Sequence, residues 1–376
     1  MLNWLFKPSP SPSKPRYAIG LMSGTSLDGL DACLVRETLD GSRIEVVQSQ
    51  ASEFPRSIRE ELACIIQTGQ ASLSDLVRLE AEYTDVVLQQ CLQLIQMSPE
   101  PISVIGFHGQ TLWHDPEVGS TLQIGFAERL AEQTGLRVAH QFRRGDMARG
   151  GQGAPLAPLF HETHFSRETE NVAVLNLGGI ANISLLIPGQ PTRGWDIGPA
   201  NTLADLWHQK HRQQPFDQNG EYASSGLVNQ DLLDELLSDP YFAKTPPKST
   251  GREYFSQAWL DKALACVSPL DPADVQATLN HLTAEQVDNA LPEDIDILVV
   301  CGGGVHNTHL MDLIDETVDP LVVTSDAFAV DPDYVEAACF GWLGLQCLDH
   351  RPLNTQHITG SKTPGVIGSI TRPVTG

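Results

Sequence analysis

The chain has 376 residues, 41% of them apolar, and carries 24 Lys and Arg against 47 Asp and Glu, a formal charge of −23. Its length suits two sizeable domains, and its charge disfavours nucleic-acid or anionic-membrane partners, both of which need a cationic face. Seven cysteines without C-x-x-C pairs or zinc-type spacing fit a reducing cytoplasm, and no run of about 18 apolar residues marks a membrane span.

Residues 1–16, rich in Pro, Ser and Lys, read as a disordered tail. From Tyr17, the segments YAIGLM, LDACLVRE and RIEVVQSQ read as three antiparallel strands. The first two are joined by a Gly/Ser/Thr loop, the next two by an Asp40-Gly41 turn. Helices are expected over 56–67 and 73–97, then a buried strand ISVIGFHG, a short strand TLQIG, a helix over 126–134 and a strand LRVAH. NVAVLNLGG, ANISLLI and TRGWDIG then form a second meander, followed by helices over 201–211, 230–238, 256–265 and 272–290. A strand DILVVCGGG, a helix from Asn307, a strand PLVVT and a helix over 332–348 follow, and the Gly/Pro/Thr-rich end reads as an irregular arm. A meander followed by alternating helices and strands, twice over, predicts two α/β domains closing on a central cleft. The expected division is 17–140, completed by 349–376, against 141–348.

Three glycine turns at strand ends are candidate ligand loops. In the first, Ser23 to Gly29, the glycines Gly24 and Gly29 permit close backbone approach, Thr25 and Ser26 offer hydroxyl donors, and Asp28 is a candidate holder of hydrated Mg²⁺. An ordinary polar hairpin is the competing reading of this loop taken alone. The second meander supplies a matching turn, Asn176, Gly178 and Gly179, and then DIGPAN with Asp196 and Asn201. Two such hairpins, one in each half, suit a nucleotide phosphate tail. The third turn, Gly302, Gly303 and Gly304, would let a flat ring or ribose lie on bare backbone, or would serve only close helix packing.

Between these turns lie FHGQTLWH, with His108, Gln110 and Thr111, and FRRGDMARGGQGAPLAP, with Arg143, Asp146 and Arg149. Hydroxyl and amide groups at a strand end suit a polyhydroxylated ligand, although a single His there is more often structural than catalytic. Arg supplies a planar fork for carboxylate or phosphate, and solvated surface is the alternative for this basic cluster.

The motifs GLMSGTSLDGLDA, GFHGQTLWH, GGQGAPL, NLGGIANIS, DIGPAN and CGGGVHN together resemble the anhydro-N-acetylmuramic acid kinases, from Tyr17 to the C-terminus. These are sugar kinases of the actin, hexokinase and heat-shock-chaperone ATPase superfamily. The resemblance implies two actin-like ATPase (ribonuclease-H-like) domains and an ATP- and Mg²⁺-dependent enzyme. That enzyme would open the 1,6-anhydro ring of anhydro-N-acetylmuramic acid hydrolytically and phosphorylate its 6-hydroxyl, giving N-acetylmuramic acid 6-phosphate for cell-wall recycling. It further implies that Gly24, Thr25, Ser26, Leu27, Asp28, Gly29, Leu30 and Asp31 form the ATP phosphate loop, with Gly302 to Gly304 on the adenosine side. Asp196 would be the general base, and Thr111, Arg143 and Glu336 sugar contacts, with His108, Gln110 and Asn201 beside them. A carboxylate is deprotonated at neutral pH and can take a proton from attacking water, while Arg143 could pair with the sugar's lactyl carboxylate.

Gln141 and Arg149 depart from the family pattern, as do Phe126 and Ala127 after the Gln-Ile-Gly element, which bears on sugar specificity. A kinase for another hexose or amino sugar and a chaperone-like nucleotide switch remain the alternatives. The expected partner is a small anhydro amino sugar, with no nucleic acid and no membrane, and a homodimer is one assembly open to the chain.

Overall fold

A computed structural model describes residues 14–24, 27, 29–39, 43–246, 248–252 and 254–374. Thr25, Ser26, Asp28, the Asp40-Gly41 turn and residues 1–13 of the expected tail lie outside these.

The chain divides into two compact units, 1–164 with 334–376, and 165–333. These boundaries differ from the expected 140/141 and 348/349. The final helix, Val335–Leu348, packs on the sheet of the first unit, and residues 141–164 also belong there.

In the first unit the strands are β1 (Tyr17–Ser23), β2 (Gly29–Glu37), β3 (Ile44–Glu53), β4 (Ile102–Asp115), β5 (Ser120–Ile124) and β6 (Val138–His140). In the second they are β7 (Val172–Leu177), β8 (Ile180–Leu186), β9 (Arg193–Pro199), β10 (Ile297–Cys301) and β11 (Leu321–Thr324). The last strand, β12 (Ser369–Thr371), returns to the first unit and pairs antiparallel with β6. The arm expected to be irregular therefore completes a sheet, because Ile370 stands opposite Ala139 in a ladder the local sequence does not announce.

The sheet orders are β12-β6-β4-β1-β2-β3, with β5 on β4, and β11-β10-β7-β8-β9. Leaving out β5 and β12, each reads as a meander flanked by two parallel strands: β3-β2-β1-β4-β6 and β9-β8-β7-β10-β11. The same order twice is the duplicated ribonuclease-H-like arrangement. The repeat expected from the glycine turns is thus present in the topology.

Each sheet is shielded by helices whose apolar residues recur every three or four positions. Helix Leu73–Met97 is started by Ser72, whose hydroxyl accepts from the Asp75 N–H at 3.1 Å, and it buries Leu79, Tyr83, Val87, Cys91 and Leu94. Full burial of a side chain of this size contributes roughly 1.5–3 kcal/mol. Against the other face of the sheet, helix Val335–Leu348 approaches to backbone contact. A Cβ on Gly20 or Gly106 would stand 1.9 Å from the carbonyl oxygens of Ala337 and Phe340, so these glycines set the spacing between helix and sheet. That helix was expected from Pro332, but residues 332–334 form a separate 3-10 turn.

Arg16, expected in the tail, is anchored. Its guanidinium pairs at 2.7 Å with both Glu37 and Asp349, carboxylates that are nearly buried and would be costly without a cation.

Candidate active site

In the first unit, β1 and β4 run parallel with Ser23 beside Gln110, so the opening glycine loop emerges next to the end of FHGQT. Three bonds fasten it there. The Ser23 hydroxyl shares 2.8 Å with Tyr83 Oη and donates to the Gly109 carbonyl at 3.3 Å, and Gln110 Nε2 donates to the Gly24 carbonyl at 3.2 Å. Gln110 is fully buried, so its amide holds the loop rather than facing a sugar. Leu27 takes a left-handed φ of 62°, rare for a branched side chain, and like Leu30 it sits in the core. These two can offer a nucleotide only main-chain groups. Thr111 Oγ1 accepts from Gln123 Nε2 at 3.1 Å across the β4–β5 ladder.

A second cluster gathers on helix Phe142–Met147, a six-residue element with too little periodicity to be read beforehand. Arg143 Nε donates to His108 Nε2 at 2.9 Å, and its Nη1 donates to the Gly153 carbonyl at 3.0 Å. An accepting Nε2 makes His108 the neutral tautomer protonated on Nδ1. Burial and then the Arg143 charge hold its pKa well below the usual imidazole range, which agrees. Glu336 keeps some surface, yet burial pushes its carboxyl up while the Arg143 charge pulls it down. His108, Arg143 and Glu336 thus form one cluster, and His108 also packs against the Phe340 ring at 4.6 Å. A recess beside it is lined by His108, Gln123, His140, Gln141 and Arg144. Gln141 holds a left-handed φ of 57° at the helix start, a conformation that Asn, Asp or Gly adopts more readily.

In the second unit, Cys301 and Asn176 are register partners at the ends of parallel β10 and β7, so the Gly178-Gly179 and Gly302-Gly304 turns are neighbours. Gly302 has φ +85°, and a Cβ there would lie 2.3 Å from Asn176 Oδ1. A Cβ on Gly303 would meet nothing within 4 Å. The turn therefore combines two glycines without room for a side chain, Gly302 and Gly304, whose Cβ would stand 2.5 Å from Leu177 Cβ, with open backbone at Gly303. Asn201 Nδ2 donates to the Leu177 carbonyl at 3.0 Å and its N–H to the Gly178 carbonyl at 3.2 Å, so this residue fastens the hairpin.

Asp196 stands on β9 opposite Asn182, beside a bulge. Its Oδ2 accepts the Thr250 N–H at 3.0 Å, its carbonyl accepts the Tyr241 hydroxyl at 2.7 Å, and its own N–H donates to the Lys248 carbonyl at 3.2 Å. Lys248 Nζ in turn lies 4.8 Å over the Tyr241 ring. A Cβ on Gly179 would come within 2.9 Å of an Arg252 guanidinium nitrogen. The supporting segment PPKSTGRE was not singled out from the sequence. Its two basic residues, Lys248 and Arg252, within five positions of a chain this acidic, were the available signal.

No three His, Cys, Asp or Glu groups gather at metal-ligand spacing among the described residues. Mg²⁺ commonly relies on one or two carboxylates plus the phosphates of the nucleotide, and the candidate carboxylate Asp28 lies outside the described residues.

Two ribonuclease-H-like sheets of the same strand order, with glycine turns at their strand ends, define an α/β protein of the actin-like ATPase class. A sequence profile of the family described as "AnmK: Anhydro-N-acetylmuramic acid kinase" matches residues 16–373, and the chain belongs to that family. The anhydro-N-acetylmuramic acid kinase of Pasteurella multocida is 44% identical over 365 residues, covering 94% of this chain and 96% of its own. That of Haemophilus influenzae is 43% identical over 378 residues, covering 95% and 98%. Among solved structures, a ROK family glucokinase from Streptomyces griseus in complex with glucose and AMPPNP superposes with TM-score 0.43 at 12% identity, over 88% of this chain and 99% of its own.

Proposed function

We infer that the protein is an ATP-dependent kinase that opens anhydro-N-acetylmuramic acid hydrolytically and phosphorylates its 6-hydroxyl, yielding N-acetylmuramic acid 6-phosphate for cell-wall recycling. Family membership over residues 16–373 carries this reading, and Asp196, held on three sides with its carboxylate tied to Thr250, gives it a base.

Bound ATP supplies the transferable phosphoryl group, and Mg²⁺ held with Asp28 would offset its charge. Asn176, Gly178, Gly179 and the Gly302-Gly304 turn are assigned to the nucleotide, as are Gly24 to Asp31. Asp196 takes a proton from the water that attacks the anomeric carbon. The C1–O6 bond breaks as water adds, and the freed 6-oxygen becomes the phosphoryl acceptor. Arg143 and Glu336 are assigned to the sugar with Thr111, and the Arg143 guanidinium matches the planar lactyl carboxylate. His108 fixes Arg143 rather than moving a proton, since its lone pair already accepts a hydrogen bond.

A cytoplasmic site of action agrees with seven free thiols. Among the described residues, no helix is long and apolar enough to cross a membrane. ADP release by purified protein, coupled to an indicator reaction, tests the proposal. Turnover should require both the anhydro sugar and Mg²⁺ and give a product heavier than substrate by one water and one phosphoryl group. ATP hydrolysis without sugar would reject it.

A further inference from the structure

Asp146 lies three residues after Arg143 on the same short helix and has no exposed surface. Its Oδ1 accepts from Thr355 Oγ1 at 2.6 Å and Thr359 Oγ1 at 3.0 Å, and its Oδ2 accepts the Gly153 N–H at 2.9 Å. These donors are all neutral. A buried carboxylate satisfied in this way is costly compared with an apolar side chain of similar volume, so packing alone does not account for it. Short charge-assisted bonds do fix direction.

What they direct is Gly153. Its N–H is held by Asp146, and its carbonyl accepts Arg143 Nη1 at 3.0 Å. One residue thus links the buried carboxylate to the guanidinium, whose Nε is fixed by His108 at 2.9 Å.

The other side of Asp146 belongs to the C-terminal arm. Thr355 and Thr359 are buried, and the Thr355 hydroxyl shares 2.7 Å with Ser361. The arm is sewn to the same loop by Gln152 N–H to the Thr359 carbonyl at 2.8 Å and Arg149 Nη1 to the Val366 carbonyl at 2.8 Å. There is no slack, because a Cβ on Gly151 would stand 2.1 Å from Asp146 Oδ2 and 2.7 Å from Thr359 Oγ1.

We propose that Asp146, clamped by Thr355 and Thr359 of the C-terminal arm, is a positioning residue that sets the Arg143 guanidinium, through Gly153, for the carboxylate of the sugar. The proposal rests on the assignment of Arg143 to the sugar.

The test is steady-state kinetics on the full chain, varying anhydro-N-acetylmuramic acid and ATP in turn. The variants are Asp146→Asn, Thr359→Val, Arg143→Lys and the double variant Asp146→Asn with Arg143→Lys. Asn cannot accept at both ends, so Asp146→Asn should raise the sugar KM roughly tenfold while the KM for ATP stays within about twofold. In the Arg143→Lys background, whose own sugar KM is raised, it should add little, since both changes break one chain of contacts. Equal rises in both KM values, or full additivity in the double variant, would make Asp146 a merely structural residue and overturn the inference. If Asp146→Asn does not fold, Thr359→Val keeps the carboxylate and should shift sugar KM alone, by about threefold. An unchanged sugar KM in Thr359→Val then overturns the proposal. An unchanged sugar KM in Arg143→Lys removes the assignment of Arg143 itself, whatever Asp146→Asn does.

Discussion

The main-chain N–H of Thr250 donates to Oδ2 of Asp196 at 3.0 Å, so the carboxylate on β9 is aimed by a segment more than fifty positions away in sequence. Asp196→Asn keeps the shape of the side chain and, with its amide oxygen toward Thr250, this bond as well. It removes the base. We expect kcat to fall about a hundredfold or more, with nucleotide binding retained. Titration of the variant with a nucleotide analogue beside single-turnover rates checks this, and turnover near that of the unaltered protein would place the base elsewhere.

Gly302, like Gly304, leaves no room for a side chain, and it also holds φ +85°, with Asn176 Oδ1 2.3 Å from the missing Cβ. Gly302→Ala should cost about 1–3 kcal/mol of strain, because φ +85° with ψ 167° is a conformation that essentially only Gly adopts. If the turn carries the nucleotide, the KM for ATP rises several-fold while the sugar KM holds. Gly303→Ala, where an added Cβ meets nothing within 4 Å, should leave stability unchanged but also weaken ATP if bare backbone is the contact surface. Unchanged ATP affinity in both variants would free the turn from its assignment.

Signals of short range were readable in the sequence. The expected span of helix 73–97 coincides with the observed one because Ser72 caps its start and apolar residues recur at helical spacing. Both meanders were visible because glycine marks their turns. What could not be read was long-range pairing. Nothing local announces that Ile370 joins Ala139 or that Arg16 meets Glu37 and Asp349. The same holds at the site. Asp196 was identifiable from DIGPAN, but Tyr241, Lys248 and Thr250, which hold it, lie on turn and loop chain with no periodic pattern. Gln110 and Asn201 had the right chemistry for a sugar, yet the structure spends their amides on the Gly24 and Leu177 carbonyls.

The tautomer of His108 makes a separate prediction. Its Nε2 must accept from Arg143, so a side chain with an acceptor at that reach should preserve the arrangement better than an apolar one. His108→Leu is expected to raise the sugar KM more than His108→Gln does, with the ATP KM unaffected in both. Because burial and the Arg143 charge keep this imidazole neutral, the pH profile of kcat should carry no limb that His108→Gln abolishes. Loss of such a limb in the variant would make His108 a proton carrier.

His164 and His161 tie stability to pH. His164 Nε2 accepts the Ile44 N–H at 2.9 Å, and burial brings its pKa down to about 4, with the Phe160 carbonyl opposing and the Arg43 charge assisting. Burial brings His161 down to about 3, helped by His164. Unfolded histidines titrate near 6.5. Between that value and the folded values, the unfolded chain binds protons that the native protein refuses, so stability is full above about 6.5 and is lost as pH falls toward 4. The loss is about 1.4 kcal/mol per pH unit for each group. Urea denaturation at steps between pH 7.5 and 5 should show this decline. His164→Gln removes one titrating group and offers an amide oxygen to Ile44. It should therefore start less stable at pH 7.5 but fall more gently. A slope equal to that of the unaltered protein would mean that His164 titrates in the fold as it does in the unfolded chain.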